Sequence, residues 1–93
     1  MAFNSPTWSA PHRIDTHYDV KPVIQRWQDA NIKGIYVIRD GFDDRTLYVG
    51  KVDAGKSVQE RLSKHLTGKG SPGIANLVAN KQAFIVRWAA SRE

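Results

Sequence analysis

Two short runs of β-branched and aromatic residues, Gly34-Ile-Tyr-Val-Ile-Arg39 and Thr46-Leu-Tyr-Val-Gly50, are separated by Asp40-Gly-Phe-Asp-Asp-Arg45. Residues branched at Cβ favour extended backbone, and the Asp- and Gly-rich stretch between them favours a reversal. Strands joined so closely must be antiparallel, because a parallel pair needs a crossover of a dozen residues or more. The pair therefore reads as a hairpin. A lone hairpin is marginal in water, so the rest of the chain has to cover it.

The cover is legible in the periodicity. Val20, Val23, Ile24 and Trp27 recur at helical spacing, with Pro22 suited to a first turn and Asn31 to an end. Ser57-Val-Gln-Glu60 is a capping box that opens a helix running to about Leu66, with Val58, Leu62 and Leu66 on one side and Gly68 as its stop. Ser71-Pro72 opens a shorter helix bearing Ile74, Leu77 and Val78, and Ala83-Phe-Ile-Val-Arg-Trp-Ala89 is a third strand. Residues 1–18 show no clear period and read as an arm, followed by a single domain over 19–93. The order helix, strand, strand, helix, helix, strand predicts a small α+β domain with a three-stranded, mainly antiparallel sheet. Ninety-three residues leave room for one core.

Cysteine is absent, which excludes disulfides, thiolate metal sites and a cysteine nucleophile. No apolar stretch approaches the ~20 residues that span a bilayer, and Met1–Ala10 has no signal-peptide pattern, so the expected setting is the cytoplasm, away from membranes. The net charge of +5 is unevenly spread. Residues 1–50 balance six Lys and Arg against six Asp, whereas residues 51–93 carry eight cations against three acids. A one-sided basic field suits a polyanion, DNA first. Lys56, Lys64 and Lys69 in that half are the candidate DNA contacts.

Two motifs compete for one loop. Gly50-Lys-Val-Asp-Ala-Gly-Lys-Ser57 matches the P-loop pattern, in which Lys56 would reach the β/γ-phosphates of a nucleotide and Ser57 would ligate Mg²⁺. The strand before it, however, is the second arm of a hairpin, whereas a P-loop strand belongs in a parallel sheet. The later strand ends without an acidic partner for the metal, and the chain is short for a nucleotide-binding sheet. No nucleotide cofactor is expected.

The second motif spans more of the sequence. Gly34-Ile-Tyr36 is followed after eleven residues by Tyr48-Val-Gly50, then directly by Lys51, with Arg61 and His65 one turn apart on the next helix. From about Asn31 to Ala89 this resembles the GIY-YIG endonuclease family. Valine replaces isoleucine in the second triplet, a mild change between strand formers. The arm and first helix lie outside the resemblance and read as an addition.

That resemblance implies a metal-dependent DNA endonuclease with Mg or Mn as cofactor. It implies Tyr36 as general base, Lys51 near enough to favour its phenolate, Tyr48 as a positioning hydroxyl, His65 as a proton carrier and Arg61 as the phosphate clamp. Arginine suits that role because its planar fork pairs donors with phosphate oxygens. The family holds its metal with a glutamate on a helix after the third strand. That position aligns several residues past Glu93, the acidic candidate in the final segment, so the expectation is a domain truncated before its metal ligand, or a non-cleaving DNA-binding relative. His12 and His17 lack a third metal ligand, and Trp8, Trp27 and Trp88 are expected to pack.

Overall fold

The structure is a computed structural model and describes residues 7–53 and 55–90. The hairpin forms where the sequence places it, and its strands are slightly longer than expected: β2 spans Gly34–Asp40 and β3 spans Thr46–Val52. The pairing runs Gly34–Val52, Tyr36–Gly50 and Ile38–Tyr48, with a register shift between Ile38 and Arg39. Asp40 fixes the reversal by accepting the Phe42 N–H at 2.7 Å and the Asp43 N–H at 3.3 Å through Oδ1. This turn role explains an acid that is 8% exposed.

The sheet has four strands, not three. His12–Asp15, within the expected arm, forms β1 and pairs antiparallel with β4 at Ala83–Ala90. The sheet order is β1-β4-β2-β3, antiparallel at every pair, so β2 and β4 are central. The described part of the arm thus joins the domain: the Ser9 N–H donates to the Trp88 carbonyl at 2.8 Å, and the Thr16 N–H to the Gln82 carbonyl at 3.3 Å.

The first helix is shorter than its apolar stripe. An α-helix, α1, covers Lys21–Gln25, and a 3₁₀ turn follows at Gln28–Ala30. The interruption has a visible partner. Gln59 Nε2 donates to the Ile24 carbonyl at 2.9 Å and to the Trp27 carbonyl at 3.3 Å, satisfying groups at the end of the helix. Val20, Ile24 and Trp27 still face the core.

Helix α2, Val58–Leu66, is capped by Ser57, whose Oγ accepts the Glu60 N–H at 3.0 Å, and it buries Val58, Leu62 and Leu66. Helix α3, Pro72–Ala79, is capped by Ser71 in the same way and buries Ile74. The helix-covered side of the sheet presents Tyr36, Ile38, Phe84, Val86 and Trp88, all buried. Together with the helix residues they make one contiguous core. None of the helices among the described residues is long and apolar enough to cross a membrane.

Candidate active site

Tyr36 sits at the middle of a central strand, with Gly50 opposite on β3 and Trp88 opposite on β4. Its ring lies over Gly50: a Cβ at position 50 would fall within the phenol ring and hydroxyl. The missing side chain is what lets the ring reach across the ladder toward α2.

There the Tyr36 hydroxyl meets His65 Nε2 at 2.9 Å, in a bond buried from solvent. His65 is itself 2% exposed. Its other nitrogen, Nδ1, accepts a long bond from the Ser71 N–H at 3.5 Å. An acceptor at Nδ1 assigns the proton of the neutral ring to Nε2, so the imidazole donates to the phenol oxygen. The chain passes close over the imidazole because residue 70 is glycine; a Cβ there would collide with His65 Nδ1.

Tyr48 completes the group. It is two residues from Gly50 on β3 and so shares its face. Its ring centroid lies 4.5 Å from that of His65 and 6.1 Å from that of Tyr36, the two phenols being stacked at 26°. Tyr36 is 1% exposed, whereas Tyr48 is half-buried. Tyr36 therefore belongs to the core, although the resemblance implies it as general base, and Tyr48 is the phenol that reaches toward solvent.

Arg61 stands one turn before His65 on α2 and is partly buried. Its guanidinium is close enough to act on both neighbours. Burial pushes the Tyr36 pKa above the usual tyrosine value, and Arg61 pulls in the opposite direction by favouring the phenolate. Burial pushes the His65 pKa down, and the Arg61 charge adds to that shift. At neutral pH the pair is thus a neutral phenol and a neutral imidazole, beside a fixed cation.

Lys51 does not join them. It pairs with Ile35, and alternation along β3 puts it on the face opposite Gly50 and Tyr48. The cation beside Tyr36 is Arg61. Lys56 is exposed on the loop before α2, while Lys64 on α2 and Lys69, three residues past its end, lie toward α1. Sequence reasoning missed Gly70 and Ser71, which hold His65 from behind. Their only signal is a Gly-rich tract that reads equally well as a loop.

The P-loop pattern meets a different local structure. The Val58 N–H donates to the Ile32 carbonyl at 2.8 Å, the Glu60 N–H to Ser57 Oγ, and the Arg61 N–H to the Ser57 carbonyl at 3.1 Å. The Arg61 bond is the first intrahelical one, and the two amides that the helix leaves free, those of Val58 and Glu60, are already engaged where a phosphate cradle could draw on them.

As for a metal ion, no three His, Asp or Glu side chains cluster among the described residues. Both ring nitrogens of His65 are engaged, and Glu93 lies outside the described residues. The described part of the patch therefore does not fit a divalent ion by itself. Comparison with family models, with curated proteins and with solved structures gave no match.

Proposed function

We propose that the chain is a GIY-YIG-type endonuclease domain that hydrolyses phosphodiester bonds in DNA. The observation that carries this reading is the meeting of three rings from three separated segments, with Arg61 one helical turn from His65. Tyr36, Tyr48 and His65 form one cluster of rings, and the Arg61 charge acts on two of them. A core built only for packing has no need of a guanidinium beside a buried phenol–imidazole pair.

The chemistry follows from the arrangement. Arg61 is placed to bear charge that builds on a phosphate as water attacks phosphorus. Tyr48, half-buried, is the hydroxyl that can touch a phosphate oxygen. The Tyr36 hydroxyl, which receives a hydrogen bond from His65 Nε2, is the group whose ionised form burial opposes and Arg61 favours, burial prevailing. As a phenolate it would take the proton of the attacking water while the phosphorus bond to the leaving oxygen breaks and that oxygen takes a proton from solvent water. The ionised fraction is small at neutral pH because burial holds the pKa high. The rate should therefore rise with pH across the neutral range. The resemblance also implies a divalent metal, for which the described residues offer no ligand set.

A second reading, a DNA-binding module that does not cut, is favoured by one observation: Tyr36 is 1% exposed. Nicking of supercoiled plasmid, with Mg²⁺ and separately with Mn²⁺, separates the two. The nuclease reading expects nicking that is lost in Arg61→Ala and reduced about 10²–10⁴-fold in Tyr36→Phe, with DNA binding by Tyr36→Phe retained. Salt-dependent binding without nicking under both metals would leave the binder.

A further inference from the structure

A cleft of about 610 Å³ opens between α1 and α2, on the flank of α2 away from the Tyr36 hydroxyl. Its size is that of a ligand site, but its lining is not that of an apolar pocket. Lys21, Lys64 and Lys69 line it together with Ser63 and Thr67, and Glu60 is its one acid. The ion pair found among the described residues is Arg39–Asp44, so no described carboxylate neutralises any of the three lysines at ion-pair distance. Unpaired cations gathered at one opening repel each other, and an anion relieves that repulsion.

Two further observations narrow the anion. Isoleucine 24 is the apolar residue of the lining and no aromatic ring is present, so a nucleobase has nothing there to stack on. Lysine suits a phosphate as a compact point charge without demanding one fixed geometry. In addition, Lys64 follows Arg61 by three positions on α2, so the two are surface neighbours. A polyanion crossing α2 would meet Arg61 first and the lysine cleft next.

We infer that the cleft between α1 and α2 binds backbone phosphates of DNA beyond the one held at Arg61. The choice of DNA as the phosphate source rests on the proposed nuclease function; the presence of an anion site does not. On this view α1 is not an inert addition, because Lys21 supplies part of the contact surface.

The test is fluorescence anisotropy of a labelled short DNA duplex at several salt concentrations. It compares the whole chain, a Lys21→Ala/Lys64→Ala/Lys69→Ala variant and Arg61→Ala, each checked for folding by circular dichroism. The triple variant should flatten the slope of log K against log[salt] by roughly 2–3, since each lost phosphate contact removes about 0.9. Thymidine monophosphate, titrated calorimetrically, should bind far more weakly than the duplex. An unchanged slope in a folded triple variant overturns the cleft while leaving Arg61 and the nuclease reading intact. Loss of slope in the triple variant with no effect of Arg61→Ala overturns the patch and keeps the cleft. Tight thymidine monophosphate binding that the triple variant abolishes would overturn DNA in favour of a free nucleotide.

Discussion

Gly50 faces Tyr36 across the β2–β3 ladder, and the phenol ring occupies the space that a side chain at position 50 would need. Gly50→Ala must therefore displace a ring that is locked between two strands and α2. Overpacking of this kind costs typically about 1–3 kcal/mol. Urea unfolding should show a lower midpoint with little change in slope. Gly73 is the contrasting case, a glycine near the start of α3 with open space around its Cβ position. Gly73→Ala should be neutral or stabilising by up to about 1 kcal/mol. Equal effects at the two positions would refute the steric account of Gly50.

Removing only the Tyr36 oxygen probes the buried bond. Tyr36→Phe keeps the ring and strands the Nε2 proton of His65 without its partner. Leaving a buried donor unsatisfied costs about 1–3 kcal/mol. The same loss should be much smaller when His65 has already been replaced by leucine, because then no donor is left stranded. A double-mutant cycle in urea measures the difference.

The His65 shift sets a pH dependence for stability. Its folded pKa lies below the ordinary value of 6.5, so the unfolded chain takes up the proton first as pH falls. The stabilisation from a neutral His65 is complete above 6.5 and is lost progressively as pH drops below it. Tyr36 gives the mirror case, because its raised pKa makes stability fall as pH rises above the ordinary tyrosine value of 10.0. Thermal melts across pH should show both limbs. His65→Gln should remove the acid limb, and if the limb persists unchanged the cause lies elsewhere.

Gln59 is the bond that joins α1 to α2, through one amide nitrogen and two carbonyls. Gln59→Leu should remove the second bond of each carbonyl, leaving only the Trp27 and Ala30 N–H donors, and so loosen residues 21–30 selectively. Hydrogen exchange is the measurement: amides of α1 and the following 3₁₀ turn should exchange faster, while those of β2 and β4 change little. Uniform acceleration would mean that Gln59 supports the whole fold instead.

The elements that announced themselves did so through local chemistry. The Asp-Gly reversal, the Ser57 and Ser71 caps and the Gly68 stop each depend on residues within a few positions of one another. Strand β1 depends on a partner about seventy residues away. Its four residues offer only a brief alternation, His12 and Ile14 inward against Arg13 and Asp15 outward, too short to stand out. At the break in the first helix, the Ile24 and Trp27 carbonyls likewise accept from Gln59, a residue from another element. The position of Lys51 was within reach of the sequence alone. Tyr48 and Lys51 are three apart in one strand, and an odd separation sends side chains to opposite faces. Burial of Tyr36, by contrast, follows from α2 laying His65 over its hydroxyl, with Gly70 and Ser71 behind His65, and depends on tertiary packing.

The sealing of the Tyr36 hydroxyl between His65 and Gly50 also sets a clock. A phenol proton exposed to water exchanges too quickly to be followed, but one enclosed on every side waits for the domain to breathe. Its exchange lifetime should track the opening of α2 from the sheet, and so should the moment at which the phenol can meet an incoming water. If Tyr36 acts on substrate, the first event of each turnover is a motion of the core.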